Sequence, residues 1–149
     1  MEKRAVSAYA KNSKLAAYQS VSVHGSVAGA DPHRLVLMLM DGALERMAIA
    51  RGNIERGQIA RKTQALHQCV KIINELRGSL NLTQGGPLAQ NLSDLYDYML
   101  RQILRANLDS DAQCIKEVAS LMGEIRSAWV AIGPEVRQMQ APVAVAAKR

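Results

Sequence analysis

A chain of 149 residues, 48% of them hydrophobic, fits one domain with its own core and needs no second domain. Phe is absent, aromatic residues make up only 3% of the chain, and runs of β-branched residues are short, so the composition disfavours a β-sheet protein and predicts an all-α fold. The net charge of +6 is concentrated in residues 1–20, 58–80 and 134–149 rather than in one continuous stripe, which disfavours nucleic acid as the partner.

Residues 1–24 are predicted to form a mobile N-terminal arm. If the arm is helical, one face carries Val6, Tyr9 and Ala17 between serines, which is a weak apolar stripe. Such a stripe holds only loosely to another surface, and it is too thin to anchor the arm in a membrane. A helical bundle is predicted to follow over residues 25–133, and it begins with a linker of small residues.

The first bundle helix is predicted from Pro32 to about Arg56. Asp31 can cap its free N–H groups, Pro32 suits the first turn, and Gly57 is a typical stop. Its core stripe consists of Leu35, Leu39, Ala43, Met47, Ala50 and Ile54. A second apolar stripe beside it consists of Val36, Met40, Leu44 and Ala48. The apolar arc is therefore wider than one neighbouring helix needs.

The second bundle helix is predicted over Ile59 to Leu80. Ile72 lies on a face adjoining its core stripe. Its basic residues are Arg61, Lys62, Lys71 and Arg77. These charges favour a solvated face, because no glycine-rich phosphate cradle adjoins them. The alternative is a small basic helical regulator that binds nucleic acid through these four side chains.

The third bundle helix is predicted to carry two apolar stripes. A break is predicted over Asn81 to Gly86, after which Pro87 occupies the first turn and the helix runs to Leu108. Its predicted core stripe consists of Leu88, Leu92, Leu95, Met99, Ile103 and Ala106. A second stripe repeats every four residues and consists of Tyr96, Leu100, Leu104 and Leu108.

The last helix is predicted to start at a cap supplied by Asp109, Ser110 or Asp111 and to end at Gly133-Pro134. Its seam consists of Ile115, Val118, Met122, Ile125, Trp129 and Ile132. Residues 134–149 have no helical stripe and are predicted to be a disordered tail. The pattern predicts an antiparallel up-down four-helix bundle with an additional weak N-terminal helix or arm.

The sequence offers no catalytic or metal-binding constellation. Its histidines lack the Glu-x-x-His spacing of di-iron bundles, and no nucleophile or nucleotide-binding motif is present. Cys69 and Cys114 have no ligand spacing and are interpreted as buried free thiols. The longest apolar run in the body, Leu35 to Met40, is too short to span a membrane. We therefore predict a cytoplasmic non-enzyme without a metal or cofactor.

Three stretches carry a resemblance to a known family. They are DPHRLVLMLMDGALERMAIAR at the start of the first bundle helix, GGPLAQNLSDLYDYMLRQILRANL in the third, and the late pair Ala128-Trp129. Together they resemble the FliS family, the flagellar secretion chaperones, over about residues 15–133. One departure is Met40, which stands before Asp41-Gly42 where the family usually carries an aromatic residue.

The resemblance implies a helical bundle whose surface grooves take the C-terminal segment of flagellin. That segment is disordered alone and folds into helices around the chaperone. In the cytoplasm this binding prevents premature polymerisation and hands the subunit to the type III export apparatus. The resemblance also implies that the N-terminal arm covers part of the groove, with Tyr18 matching the family's lid tyrosine. Members of the family contact an export-gate component and an anti-sigma factor as well.

The second stripes of the helices supply the candidate binding residues. Methionines among them suit a groove that accepts amphipathic helices of another chain. In a four-helix bundle, however, each helix has two neighbours. The alternative is therefore that the second stripes are buried inside the bundle. The predicted partner-binding residues are Tyr18, Val36, Met40, Leu44, Ile72, Tyr96, Leu100 and Leu104.

Overall fold

A computed structural model describes residues 31–134 of the chain. The described part contains the helices α1 (Pro32–Glu55), α2 (Ile59–Gly78), α3 (Leu82–Asp109) and α4 (Ala112–Ala131), and it contains no strand. The predicted all-α fold is thus confirmed. The predicted N-terminal arm with Tyr18 and nearly all of the predicted tail lie outside the described residues.

The start of α1 follows its local sequence. The chain divides between residues 35 and 36 into two units, and the first unit contributes residues 31–35 to the described part. Within it, the backbone N–H of Arg34 donates to the Asp31 carboxylate over 2.7 Å, and the N–H of Leu35 donates to the Asp31 carbonyl over 3.0 Å. The predicted Asp31 cap is therefore confirmed. The bundle described below is formed by residues 36–134.

Helices α1 and α2 form an antiparallel hairpin that turns at Gly57, where φ is 71°. A Cβ at Gly42 would lie 3.3 Å from Cδ1 of Ile72, so the missing side chain permits a close approach of the two helices. One turn further along, the thiol of Cys69 lies 3.8 Å from the carbonyl oxygen of Ala43.

Helix α3 packs against both α2 and α4. On the α2 side, the Lys62 ammonium reaches the Asn107 carbonyl near one end of α3, and Arg77 forms an ion pair with Asp97 nearer the other end, so the two helices are antiparallel. Lys62 and Asn107 are 45 residues apart in the sequence, so their hydrogen bond is a tertiary contact between two helices and not part of a local turn.

The remaining contacts close the bundle. On the α4 side of α3, Tyr98 and Gln102 both donate hydrogen bonds to the Glu117 carboxylate, over 2.9 Å and 3.0 Å. Arg126 of α4 forms an ion pair with Asp41 of α1. Each helix thus has two neighbours, and the connectivity is the predicted up-down-up-down arrangement.

The core runs along the inner faces of all four helices. Its largest fully buried side chains are Met40, Met47, Leu66, Ile72, Ile73, Leu76, Met99, Ile103, Ile115, Met122 and Val118. Cys69 and Cys114 are buried free thiols, as expected, and burial raises the pKa of Cys69 to about 12. The predicted seam of α4 is confirmed for its first half; Ile125 and Trp129 are half-buried, and Ile132 is exposed.

The start of α3 differs from the prediction, which placed a non-helical break over the whole of Asn81 to Gly86. Asn81 caps a first helical turn, because its side-chain oxygen accepts the N–H of Gln84 over 2.9 Å. The interruption is a single residue, Gly86, with φ 57° and ψ −140°, after which the helix continues through Pro87. Only glycine adopts this backbone conformation readily. The break was therefore located correctly, but the capped turn before it was missed.

Candidate partner-binding surface on α3

The second stripe of α3 leaves the core as it runs along the helix. Residues four apart are rotated by about 40° from one another at roughly 100° per residue, so three such steps turn the stripe by about 120°. Tyr96 is 2% exposed, Leu100 is half-buried, Leu104 is 60% exposed and Leu108 is 76% exposed. One end of the stripe is thus core and the other end is surface.

The predicted core stripe of α3 is confirmed at Met99, Ile103 and Ala106, but nearer the start of the helix the core face is rotated relative to the prediction. The buried residues are Ala89, Tyr96, Met99, Ile103 and Ala106. Leu88 and Leu95, which were predicted to face the core, are 69% and 37% exposed. Burial raises the pKa of the Tyr96 hydroxyl to about 12, because the charged form would lose its contact with water.

The exposed end of the stripe is interleaved with arginines. Arg101, Leu104, Arg105 and Leu108 are separated by three, one and three residues, and this spacing places them on one side of a helix. All four are exposed, and we call them the outward stripe.

The phenol next to the outward stripe is part of a polar contact with α4. The Arg101 guanidinium lies 6.0 Å from the centroid of the Tyr98 ring, within the range of a cation–π contact. The Tyr98 hydroxyl donates to the Glu117 carboxylate, and this hydrogen bond raises the pKa of Tyr98 above its ordinary value. Arg101 is thus positioned on α3 while its N–H donors remain at the surface.

A buried lysine fixes the end of α3 that bears the outward stripe. Lys62 is 3% exposed, and its ammonium donates to the carbonyl oxygen of Asn107 over 2.9 Å and to the Ser110 hydroxyl over 2.8 Å. The Thr63 hydroxyl donates to the Asn107 side chain over 3.2 Å. Helix C-termini carry unpaired carbonyls and attract cations, so Lys62 is suited to this position. The exposed leucines therefore stand on an anchored helix end.

Three of the predicted binding residues lie in the core. Met40 and Ile72 are each 1% exposed, and Tyr96 is nearly as deeply buried. They are buried because each lies on a part of its helix that packs against two neighbouring helices. Ile72, for example, packs against α1 beside Gly42. A partner cannot reach these side chains without opening the bundle.

The other predicted residues have different positions. Leu104 lies on the surface, whereas Val36, Leu44 and Leu100 are half-buried. Tyr18 is outside the described residues. Leu108, the most exposed of the large apolar side chains that the structure describes, was not among the predicted binding residues. The sequence contained a signal for the exposure of Leu108: a repeat of four residues turns by about 40° per step, so its last member points away from the core.

The four basic residues of α2 do not form one patch. The Lys62 ammonium is buried against the end of α3, and Arg77 is paired with Asp97. Arg61 and Lys71 remain exposed. Because phosphate binding requires accessible cations, the nucleic-acid alternative loses the buried Lys62, while the exposed Arg77 is already paired with a carboxylate.

Residues 31–134 contain no group of three or more His, Cys, Asp or Glu side chains placed to hold a metal ion. None of the helices that the structure describes is both long enough and apolar enough to cross a membrane.

Comparison with known proteins identifies close relatives over most of the chain. Residues 14–136 match the family model described as "Flagellar protein FliS". The chain is 45% identical over 124 residues to the flagellar secretion chaperone FliS of Salmonella typhimurium, covering 83% of this chain and 92% of that protein. It is 44% identical over 112 residues to FliSB of Pseudomonas aeruginosa, covering 75% and 89%, respectively. It is 40% identical over 127 residues to FliS of Vibrio cholerae, covering 85% and 93%.

Proposed function

Because this chain belongs to the FliS family, in which its relatives are flagellar secretion chaperones, we propose that it binds the C-terminal segment of flagellin on the surface of its helical bundle. A chaperone role in flagellar export follows from the family. We propose in addition that the flagellin segment is held in the cytoplasm and folds against the exposed end of α3. It cannot polymerise while it is held there.

The observation that carries the proposal is the exposure of Leu104 and Leu108 on an anchored helix. Both side chains are more than half exposed, and they lie one turn apart. Apolar side chains that cluster on a folded surface are typical of binding sites. An amphipathic helix laid along α3 would remove both from water, which is the usual way in which a helical surface binds a helical segment.

The energetics require contacts beyond these two leucines. Burying a leucine fully is worth about 1.5–3 kcal/mol. A segment that orders on binding loses about 2–5 kcal/mol or more of its interaction energy. We therefore propose that the segment also contacts the half-buried Leu100, Val36 and Leu44, while Met40, Ile72 and Tyr96 support the surface from below. The assignment of Tyr18 to a lid stays a prediction.

Calorimetry with a matched pair of variants tests this proposal. The ligand is a peptide that covers the C-terminal segment of flagellin from the same organism. The wild-type protein is expected to bind it one to one with a negative heat-capacity change, since apolar surface is buried. Leu104→Ser is expected to weaken binding by about tenfold or more, because it removes buried apolar area without adding a charge.

Leu88→Ser is the control, because it makes the same change at a 69% exposed leucine near the other end of α3. It is expected to bind the peptide within about twofold of wild type, a difference well under 1 kcal/mol. Absence of binding to wild type, or equal effects of the two substitutions, would overturn the proposed ligand or the proposed surface.

A further inference from the structure

The outward stripe carries positive charge as well as leucines. Its two arginines are exposed, and no Asp or Glu occurs between Tyr98 and Leu108. Arg77 and Arg126 form ion pairs, whereas neither Arg101 nor Arg105 forms one within residues 31–134. The stripe therefore combines apolar area with two exposed cationic side chains. The nearest carboxylates along α3 are those of Asp97, which pairs with Arg77, and Asp109.

Arg105 lies near the Asp111 carboxylate but forms no ion pair with it. It contributes to lowering the pKa of Asp111, but the larger causes there are the hydrogen bonds that this carboxylate accepts from Cys114 and Gln113. Asp111 is committed to capping α4, so its oxygens already have donors. Arg105 is exposed and forms no ion pair within residues 31–134, so a partner can reach its guanidinium.

We propose that the ligand of the outward stripe is an amphipathic helix that presents Asp or Glu side chains to Arg101 and Arg105 while its apolar face covers Leu104 and Leu108. This inference rests on the proposed function and specifies the chemistry of the bound segment. Guanidinium groups pair with carboxylates through two parallel hydrogen bonds, which fix the direction of approach. The leucines supply most of the affinity, and the arginines select the register and orientation of the segment.

A double-mutant cycle between protein and peptide tests the inference. The protein variant is Arg101→Gln with Arg105→Gln. The peptides are the flagellin C-terminal segment and a version in which every Asp and Glu is replaced by Asn and Gln. The variant is expected to bind the native peptide about three- to tenfold more weakly than wild type does, as for exposed ion pairs. It is expected to bind the amide peptide as wild type does.

Arg61→Gln with Lys116→Gln is the matched control, because it removes two exposed charges from α2 and α4. This control is expected to bind each peptide within about twofold of wild type. The thermal transitions of both double variants are expected to stay within about 2 °C of wild type, since all four positions are on the surface.

The outcomes separate this inference from the proposed function. If Leu104→Ser weakens binding but the arginine variant weakens both peptides equally or neither, the proposed function stands and this inference is overturned. If wild type binds neither peptide, both are overturned. Adsorption to phosphatidylglycerol vesicles that depends on Arg101 and Arg105, without coupling to the peptide carboxylates, would assign the stripe to a lipid surface and also overturn the inference.

Discussion

The four-residue repeat in α3 is buried at one end and exposed at the other. Tyr96 is 2% exposed, and Leu108, three steps along the same repeat, is 76% exposed. The side chains are all apolar or largely so, so composition does not separate them. Geometry does, because each step of four residues rotates the side chain by about 40° away from the core.

The second stripe of α1 behaves in the same way. Met40 is buried, Leu44 is half-buried and Ala48 is exposed. In α1 the first member of the stripe, Val36, is half-buried, so the stripe is deepest at Met40 and leaves the core from there, as the α3 stripe does from Tyr96. A repeat of four therefore does not define one face for longer than about two turns, whereas alternating steps of three and four do.

The largest expected effect comes from truncating the two ends of the α3 repeat. Tyr96→Ala is expected to lower the free energy of unfolding by about 3–5 kcal/mol, because it leaves a cavity the size of an aromatic ring in the core. Leu108→Ala is expected to change it by less than about 0.5 kcal/mol, as for other surface substitutions. Urea denaturation of the two variants measures both values, and similar losses in the two would show that the repeat is not divided between core and surface.

The ionisation of Tyr96 sharpens the same comparison. An exposed tyrosine ionises near pH 10, whereas burial raises the pKa of Tyr96 to about 12. Its contribution to stability is complete below about pH 10 and is lost as the pH rises toward 12, because only the unfolded chain ionises in that window. Between pH 9 and pH 11 the wild type is expected to lose roughly 1.4 kcal/mol relative to Tyr96→Phe.

Urea denaturation of wild type and Tyr96→Phe at pH 9, 10 and 11 measures this difference, and the variant removes the contributions of all other titrating groups. Parallel curves for the two proteins would mean that Tyr96 ionises like an exposed tyrosine. That result would place it on the surface with Leu104.

A smaller effect is expected at the break that begins α3. Gly86→Ala is expected to lower the free energy of unfolding by about 1–3 kcal/mol, because its positive φ is strained for a residue with a Cβ. Gly123→Ala is the control: it lies inside α4, where an added Cβ would meet nothing within 4 Å, and it is expected to stabilise by up to about 1 kcal/mol. Thermal unfolding followed by circular dichroism distinguishes them, and two stabilising substitutions would contradict the account of the break.

Local signals in the sequence predicted the helices and most of their ends. The Asp31 cap, the Gly57 stop and the Asp111 cap each act over a few residues, so each is readable without the fold. The end of α3 at Asp109 also falls within one residue of the predicted Leu108. The positions of the bundle helices were therefore available from spacing and caps, except for the first turn of α3, which Asn81 caps.

The face that the first half of α3 turns toward the core was not available from the same signals, whereas Met99, Ile103 and Ala106 were predicted correctly. Apolar residues occupy both Leu88 with Leu95 and Ala89 with Tyr96, so the pattern permits two core faces. The positions of α2 and α4 decide between them, and these come from contacts between distant residues. Lys62 is an example, since its burial depends on Asn107, 45 residues away. Burial of the predicted binding residues was accordingly anticipated only in part: Leu104 lies on the surface, whereas Met40, Ile72 and Tyr96 are buried.

Methyl NMR of the protein labelled at leucine tests most directly whether the exposed end of the repeat receives the partner. Addition of the flagellin C-terminal peptide is expected to shift the methyl resonances of Leu104 and Leu108. Those of Leu66 and Leu76, each 1% exposed in α2, are expected to stay in place. Shifts confined to the buried leucines, or unchanged resonances of Leu104 and Leu108 at saturating peptide, would contradict the account.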